Sequence, residues 1–323
     1  MLTFTRRGWF TLSGSSKRLK VNKLYHKTSI DIVEWSQTAS ENFSISFENL
    51  EKYLKADPTL FHKILSSLNN KMKEGLRIYI YDSLFEKYVN LFNEDIKILK
   101  ETYLLQDFTQ AHFDYDSEGL EQLCISYPEF LLEYFEYYYS IPELERPNRE
   151  HRDRYNFIWK NEDLIERMES ILDYIIDKEP YYGISDHPTG NLFEQLKPEE
   201  SKRAISFLRT YMIKHTNSPE HLTVVMDIVH KKFANEKESF IKTHLIKNKD
   251  KAVFEKVRWI YQQAVWSGNE DPDLIRAKRW EEVLGYVNSL PEDIMLLPIQ
   301  NYIKEIIERN KEYSRRNKKR RNR

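Results

Sequence analysis

The chain has 323 residues, 40% of them hydrophobic and 31% charged, and its 50 Lys and Arg nearly balance 51 Asp and Glu. This is enough apolar sequence for a large core, which sets the chain apart from disordered ones, and no apolar run approaches the roughly eighteen residues that a membrane-spanning helix needs. Eight glycines and the single Cys124 argue against a glycine-rich phosphate loop, a disulfide framework or a thiolate zinc cluster, and fit a reducing, cytoplasmic setting.

The near-neutral sum hides segregation of charge. Residues 1–27 carry seven Lys and Arg and no acid, and residues 311–323 carry eight against Glu312, which leaves the middle strongly acidic. Residues 1–29 read as a basic, poorly ordered segment. Its Arg6-Arg7 pair lacks the apolar run that an export signal places next, so a frayed basic end is the simpler reading.

From about residue 30 the apolar residues recur at helical spacing, as in Leu60, Ile64, Leu65 and Leu68 and again in Leu164, Met168, Ile171, Leu172 and Ile175. Proline with an adjacent acid marks helix starts at Asp57-Pro58, Tyr127-Pro128-Glu129, Ser218-Pro219-Glu220, Asp271-Pro272-Asp273 and Leu290-Pro291-Glu292. The spacing predicts helices near 46–56, 58–73, 76–92, 94–106, 118–126, 128–140, 149–177 with a break at 160, 198–216, 219–234, 236–247, 249–266, 272–288 and 299–314. Arg77 to Tyr81, with alternating Ile and Tyr, is taken as a helix start rather than a strand. The expected fold is all-α: an α-solenoid of helix pairs with a loose period near forty residues, or alternatively a compact helical bundle. Residues 30–177 and 198–314 form two helical arrays, 178–197 an irregular linker rich in Pro and Gly, and 315–323 a disordered basic tail.

Few residue patterns carry chemistry. Asp114, Asp116, Glu118 and Gly119 imitate the start of a calcium-binding loop, but Ile125 stands where the bidentate Glu belongs, so an acidic loop capping the next helix through Asp116 or Ser117 is the better reading. Asp227 and His230 share a helical face without a third ligand, and neither a metal nor a cofactor is expected. Arg209 followed by His215, like Arg146 followed by His151, resembles the Arg and His pair of helical HEPN ribonucleases, which implies RNA cleavage by Arg209 and His215 as one alternative. A surface Arg and a helix-terminal His account for the same residues without catalysis.

Three features suit binding. The run Tyr134, Phe135, Glu136, Tyr137, Tyr138, Tyr139 covers every side of a helix, so some rings either pack between helices or serve as anchors for a protein partner. Tyr181, Tyr182, His187 and Asn191 lie on the 178–197 segment, where a ligand or partner is also accommodated. Arg315, Arg316, Lys318, Lys319, Arg320, Arg321 and Arg323 form a cationic tail suited to salt-sensitive contact with nucleic acid.

The stretch Arg154 to Asp163 before an apolar helix, then Ile205 to Arg209, Glu238 to Ile241, and Asn248, Asp250 and Phe254, resembles the C-terminal helical-repeat regions of bacterial STAND-type NTPases of phage defence. In that family an NTPase module and an effector precede a helical array that recognises a trigger protein. The resemblance therefore implies a non-catalytic sensor or scaffold, a detached portion or a separate subunit, whose partners are a trigger protein or an NTPase or effector component. The sequence leaves the oligomeric state open.

Overall fold

Proline at a first helical turn lacks an N–H that the helix would leave unused in any case, and that economy sets many of the helix starts in this chain. The computed structural model describes residues 2–5, 9–12, 43–45, 58–75, 78–80, 96–109, 117–142, 155–178, 191–261 and 271–321. Wherever side chains are described, the chain is built of helices and their connections, so the all-α class holds there. Among the described residues the eleven α-helices are α1 (Pro58–Lys73), α2 (Ile96–Thr109), α3 (Glu118–Ser126), α4 (Phe130–Ser140), α5 (Glu162–Lys178), α6 (Pro198–Lys214), α7 (Pro219–Lys232), α8 (Lys237–Lys247), α9 (Lys251–Tyr261), α10 (Pro272–Asn288) and α11 (Leu297–Arg321). The expected helices at 46–56 and most of 76–92 lie outside the described residues.

Four short strands, seen as backbone, lie among the described residues, and one of them corrects an expectation. β1 (Leu2–Thr5) and β2 (Trp9–Leu12) form an antiparallel pair with Leu2 opposite Leu12 and Thr5 opposite Trp9, inside the segment expected to be poorly ordered. β3 (Phe43–Ile45) runs parallel to β1 and to β4 (Ile78–Ile80), giving the order β2-β1-β3-β4. The stretch taken as a helix start is thus β4. Ile-Tyr-Ile is built of β-branched and aromatic residues, and three residues are too few to show a period.

The chain divides into two units, Met1–Ile171 and Leu172–Arg323, so it passes from one to the other inside α5, ahead of the expected linker. In the first unit α1 packs on α2, α2 on α4, and α3 on α4. Leu65, Leu68, Met72, Leu99 and Tyr103 are buried there. Buried polar groups answer one another: the Thr102 hydroxyl donates to Asn69 Oδ1 at 2.9 Å, and Asn69 Nδ2 donates to Glu101 at 3.1 Å.

In the second unit each helix packs on the next but one. α6 lies on α8 and α8 on α10, while α7 lies on α9 and α9 on α11; neighbours α6 and α7, α7 and α8, α9 and α10, and α10 and α11 also touch. These contacts fit a helical solenoid or a bundle. Trp280, Phe254, Val257, Ile299 and Ile303 fill the end of the stack, with the Phe254 and Trp280 ring centres 6.1 Å apart.

α11 outruns its expected end at 314 and carries the basic tail as helix to Arg321. Buried Ser314 donates to Asp271 Oδ2 at 2.5 Å and Asn317 to Asp273 at 3.2 Å, tying the extension to the start of α10. The Glu312–Arg316 ion pair and cations at the helix C-terminus favour the same conformation. Arg315, Arg316, Lys318 and Lys319 are exposed, Arg320 and Arg321 complete the helix backbone, and Arg323 lies outside the described residues.

The Tyr134 hydroxyl donates to buried Asp107 at 2.9 Å. Tyr134→Phe removes that donor from a buried carboxylate and is expected to destabilise the protein by about 1–3 kcal/mol in urea unfolding, against little change for Tyr137→Phe.

Candidate functional site

The turn between α6 and α7 assembles the most concentrated chemistry among the described residues. α6 ends at Lys214, His215 follows as its C-cap, and Pro219 opens α7, so only a few residues separate His215 from His221 in the first turn of α7. The tight reversal stacks the two imidazoles with centres 4.3 Å apart and planes within 8°. Asp173, on α5, brings one oxygen to both: Oδ1 lies 3.6 Å from His215 Nε2 and 3.5 Å from His221 Nε2.

Two further side chains fix this group. Tyr211, one helical turn before His215, donates its hydroxyl to the same Asp173 Oδ1 at 2.5 Å, and its ring lies 4.3 Å from that of His215. Ser218 Oγ sits 2.6 Å from His221 Nδ1 and donates to Glu220 Oε2 at 3.1 Å. With its own proton given to Glu220, Ser218 accepts from Nδ1–H of His221. That assignment leaves Nε2 of His221 with its lone pair turned toward Asp173.

The same turn is tied to the rest of one edge of the stack. Asn248, buried at the end of α8, donates to Thr216 O at 2.8 Å and to Asn217 Oδ1 at 2.9 Å, so the α6–α7 and α8–α9 turns are joined. Lys249 pairs with Asp293, which joins the second turn to the loop before α11. The segments joined in this way carry large exposed apolar side chains: Ile213 at the end of α6, Ile246 at the end of α8, and Ile294, Met295 and Leu297 beside Asp293, with Ile294 at 83% exposure.

The structure separates the residues paired in the ribonuclease reading. Six positions leave Arg209 and His215 about 120° apart around α6. Arg209 donates to Glu236 at 3.2 Å and to Ser239 at 3.0 Å and lies over the Phe240 ring, whereas His215 faces Asp173 and His221. The parallel pair Arg146 and His151 lies outside the described residues. Asp227 pairs with Lys231 at 3.1 Å, and burial and then Lys237 hold His230 below the usual histidine range. Gly119 is a buried residue of α3, the helix expected over 118–126, and Ser117 precedes α3 with φ of 59° without capping it through its hydroxyl.

The tyrosine run packs inward. Tyr134 is buried, which corrects its expected role as an interface anchor: α4 presses it against α2 to reach Asp107. Phe108 sits among Tyr134, Tyr137 and Tyr138, with ring centres 5.3, 5.1 and 6.0 Å away, and Tyr138 packs edge-on against Tyr139 at 5.1 Å. Tyr137, Tyr138 and Tyr139 keep partial exposure. Tyr181, Tyr182 and His187 lie outside the described residues.

Sequence reasoning singled out His215 for a different partner and missed Asp173 and His221. The available signal was two histidines straddling Asn217-Ser218-Pro219, a turn that reverses the chain and so brings its flanks together.

A second kind of histidine serves the core. His244 lies on the buried face of α8 with Phe240, Ile241 and Leu245, and burial depresses it from 6.5 to about 4. The folded state then stays neutral where the unfolded chain binds a proton. Its contribution to stability is complete above about pH 6.5 and is lost as pH falls toward about 4, by up to ~1.4 kcal/mol per pH unit. Urea unfolding from pH 7 to 4.5 is expected to show that decline, and His244→Leu to lessen its slope.

No protein-family model matches this chain, and no curated protein or solved structure matches it either.

Proposed function

We propose that the chain is a non-catalytic protein-binding module, and that its second unit binds through the edge formed by the α6–α7 turn, the α8–α9 turn and the loop before α11. The observation that carries this reading is the recurrence of exposed Ile213, Ile246, Ile294, Met295 and Leu297 on segments that side-chain bonds hold together. Single exposed apolar residues are ordinary on protein surfaces. Several large ones on one fixed edge, with Lys247, Lys249 and Asp293 around them, give the apolar centre and charged rim of a protein interface.

Turns already fixed before binding lose little conformational freedom when a partner docks, which favours affinity. The packing of α6 to α11 on one another supports a stack that presents successive turns in a row. A sensor or scaffold of a phage-defence system, as the resemblance to STAND-type regions implies, is one form of this reading, with a trigger protein or an NTPase or effector component as the partner. The exposed cations at the end of α11 add a surface on which nucleic acid is the second partner class.

The double variant Ile246→Asp, Met295→Asp changes two exposed positions and is expected to keep its helical circular dichroism. Affinity capture with quantification against the unmodified chain, followed by titration of the recovered protein, is expected to show at least a tenfold loss of affinity. Equal affinity in the variant, or no specific partner for either chain, contradicts the proposal.

A further inference from the structure

We infer that Asp173, His215 and His221 form a binding site for a divalent transition metal ion, Zn2+ being the best match, an assignment independent of the protein-binding reading. One ligand atom from each residue lies within 4.8 Å of the other two, and the three side chains are half-buried rather than spread over open surface. The separations of Asp173 Oδ1 from the two Nε2 atoms, 3.6 and 3.5 Å, are too long for hydrogen bonds. These two separations match neighbouring ligands around one ion, since two metal bonds of about 2.1 Å meeting at a tetrahedral angle leave their outer atoms about 3.4 Å apart; the rings, stacked within 8° of parallel, must tilt for both Nε2 lone pairs to meet at the ion.

The surrounding bonds prepare the donors. With the Ser218 proton on Glu220, His221 carries its own proton on Nδ1 and presents the Nε2 lone pair, the tautomer a metal requires. Tyr211 holds Asp173 through one lone pair of Oδ1 and leaves another for the ion. Two imidazoles and a carboxylate are a borderline set that suits zinc better than calcium or magnesium, which take oxygen ligands. Asp173 is 37% exposed, so the fourth position faces solvent and takes a water molecule. An ion there would join α5 to the α6–α7 turn at the edge assigned to partner binding.

The test uses the full chain without an affinity tag, titrated with ZnCl2 by calorimetry and with Co2+ by visible absorption. One ion per chain, the intense visible bands of four-coordinate Co2+, and a melting temperature raised by Zn2+ and returned by EDTA are expected. His215→Ala with His221→Ala is expected to abolish this binding, and Ser218→Ala to weaken it about 10–100-fold. Absence of saturable binding, or undiminished binding by the folded double variant, overturns the assignment. If the double variant does not fold, the Co2+ spectrum of the unmodified chain decides, because the weak bands of the hexaaqua ion overturn it equally.

Discussion

The side chain of Asn248 is the constraint on which the edge of the second unit depends. Its amide donates twice, to Thr216 O and Asn217 Oδ1, and its carbonyl oxygen accepts from Asp250 N at 2.7 Å. Asp250 in turn accepts from Ala252 N at 2.7 Å and opens α9. One buried residue thus ends α8, helps to start α9 and anchors the neighbouring turn. Each group it satisfies would otherwise be a polar atom with a bond to make, so the loss of Asn248 is felt in two turns at once.

That arrangement explains why chemistry gathers at the α6–α7 turn. A loop that is free to move cannot hold two imidazoles face to face with a carboxylate between their Nε2 atoms. Here Asn248 grips Thr216 and Asn217, Pro219 fixes the entry to α7, and Tyr211 and Ser218 orient Asp173 and His221. The same rigidity serves the neighbouring isoleucines and Met295, because an apolar side chain on a fixed turn offers a partner a formed surface. Lys249 and Asp293 extend the linkage to the next loop.

The helices were legible in the sequence because their signals are local. Apolar spacing and Pro-led starts place Glu118–Ser126 and Pro272–Asn288 at the expected residues, and Asp271 caps the latter by accepting from Asp273 N at 3.0 Å. Leu290-Pro291-Glu292 misled: the next turn begins at Ile294, capped by Asp293, before α11 opens at Leu297. β1 to β4 are three or four residues long, below the length at which alternation can be told from a helical start. The helical tail escaped because Ser314 and Asn317 are held by Asp271 and Asp273, more than forty residues earlier in the chain. Which ring of the tyrosine run packs inward was hidden for a similar reason, since Asp107, the partner of Tyr134, lies on another helix. Asp173, His215 and His221 come from three separate elements, and only packing makes them neighbours.

Asn248 holds the turns along this edge as one pre-formed surface. The most direct measurement is amide hydrogen exchange of Asn248→Ala beside the unmodified chain, followed by mass spectrometry. Faster exchange is expected in residues 214–222 and 247–253 alone, with α3 and α4 of the first unit unchanged. Unchanged exchange in both turns, or a uniform rise across the whole chain, would contradict it.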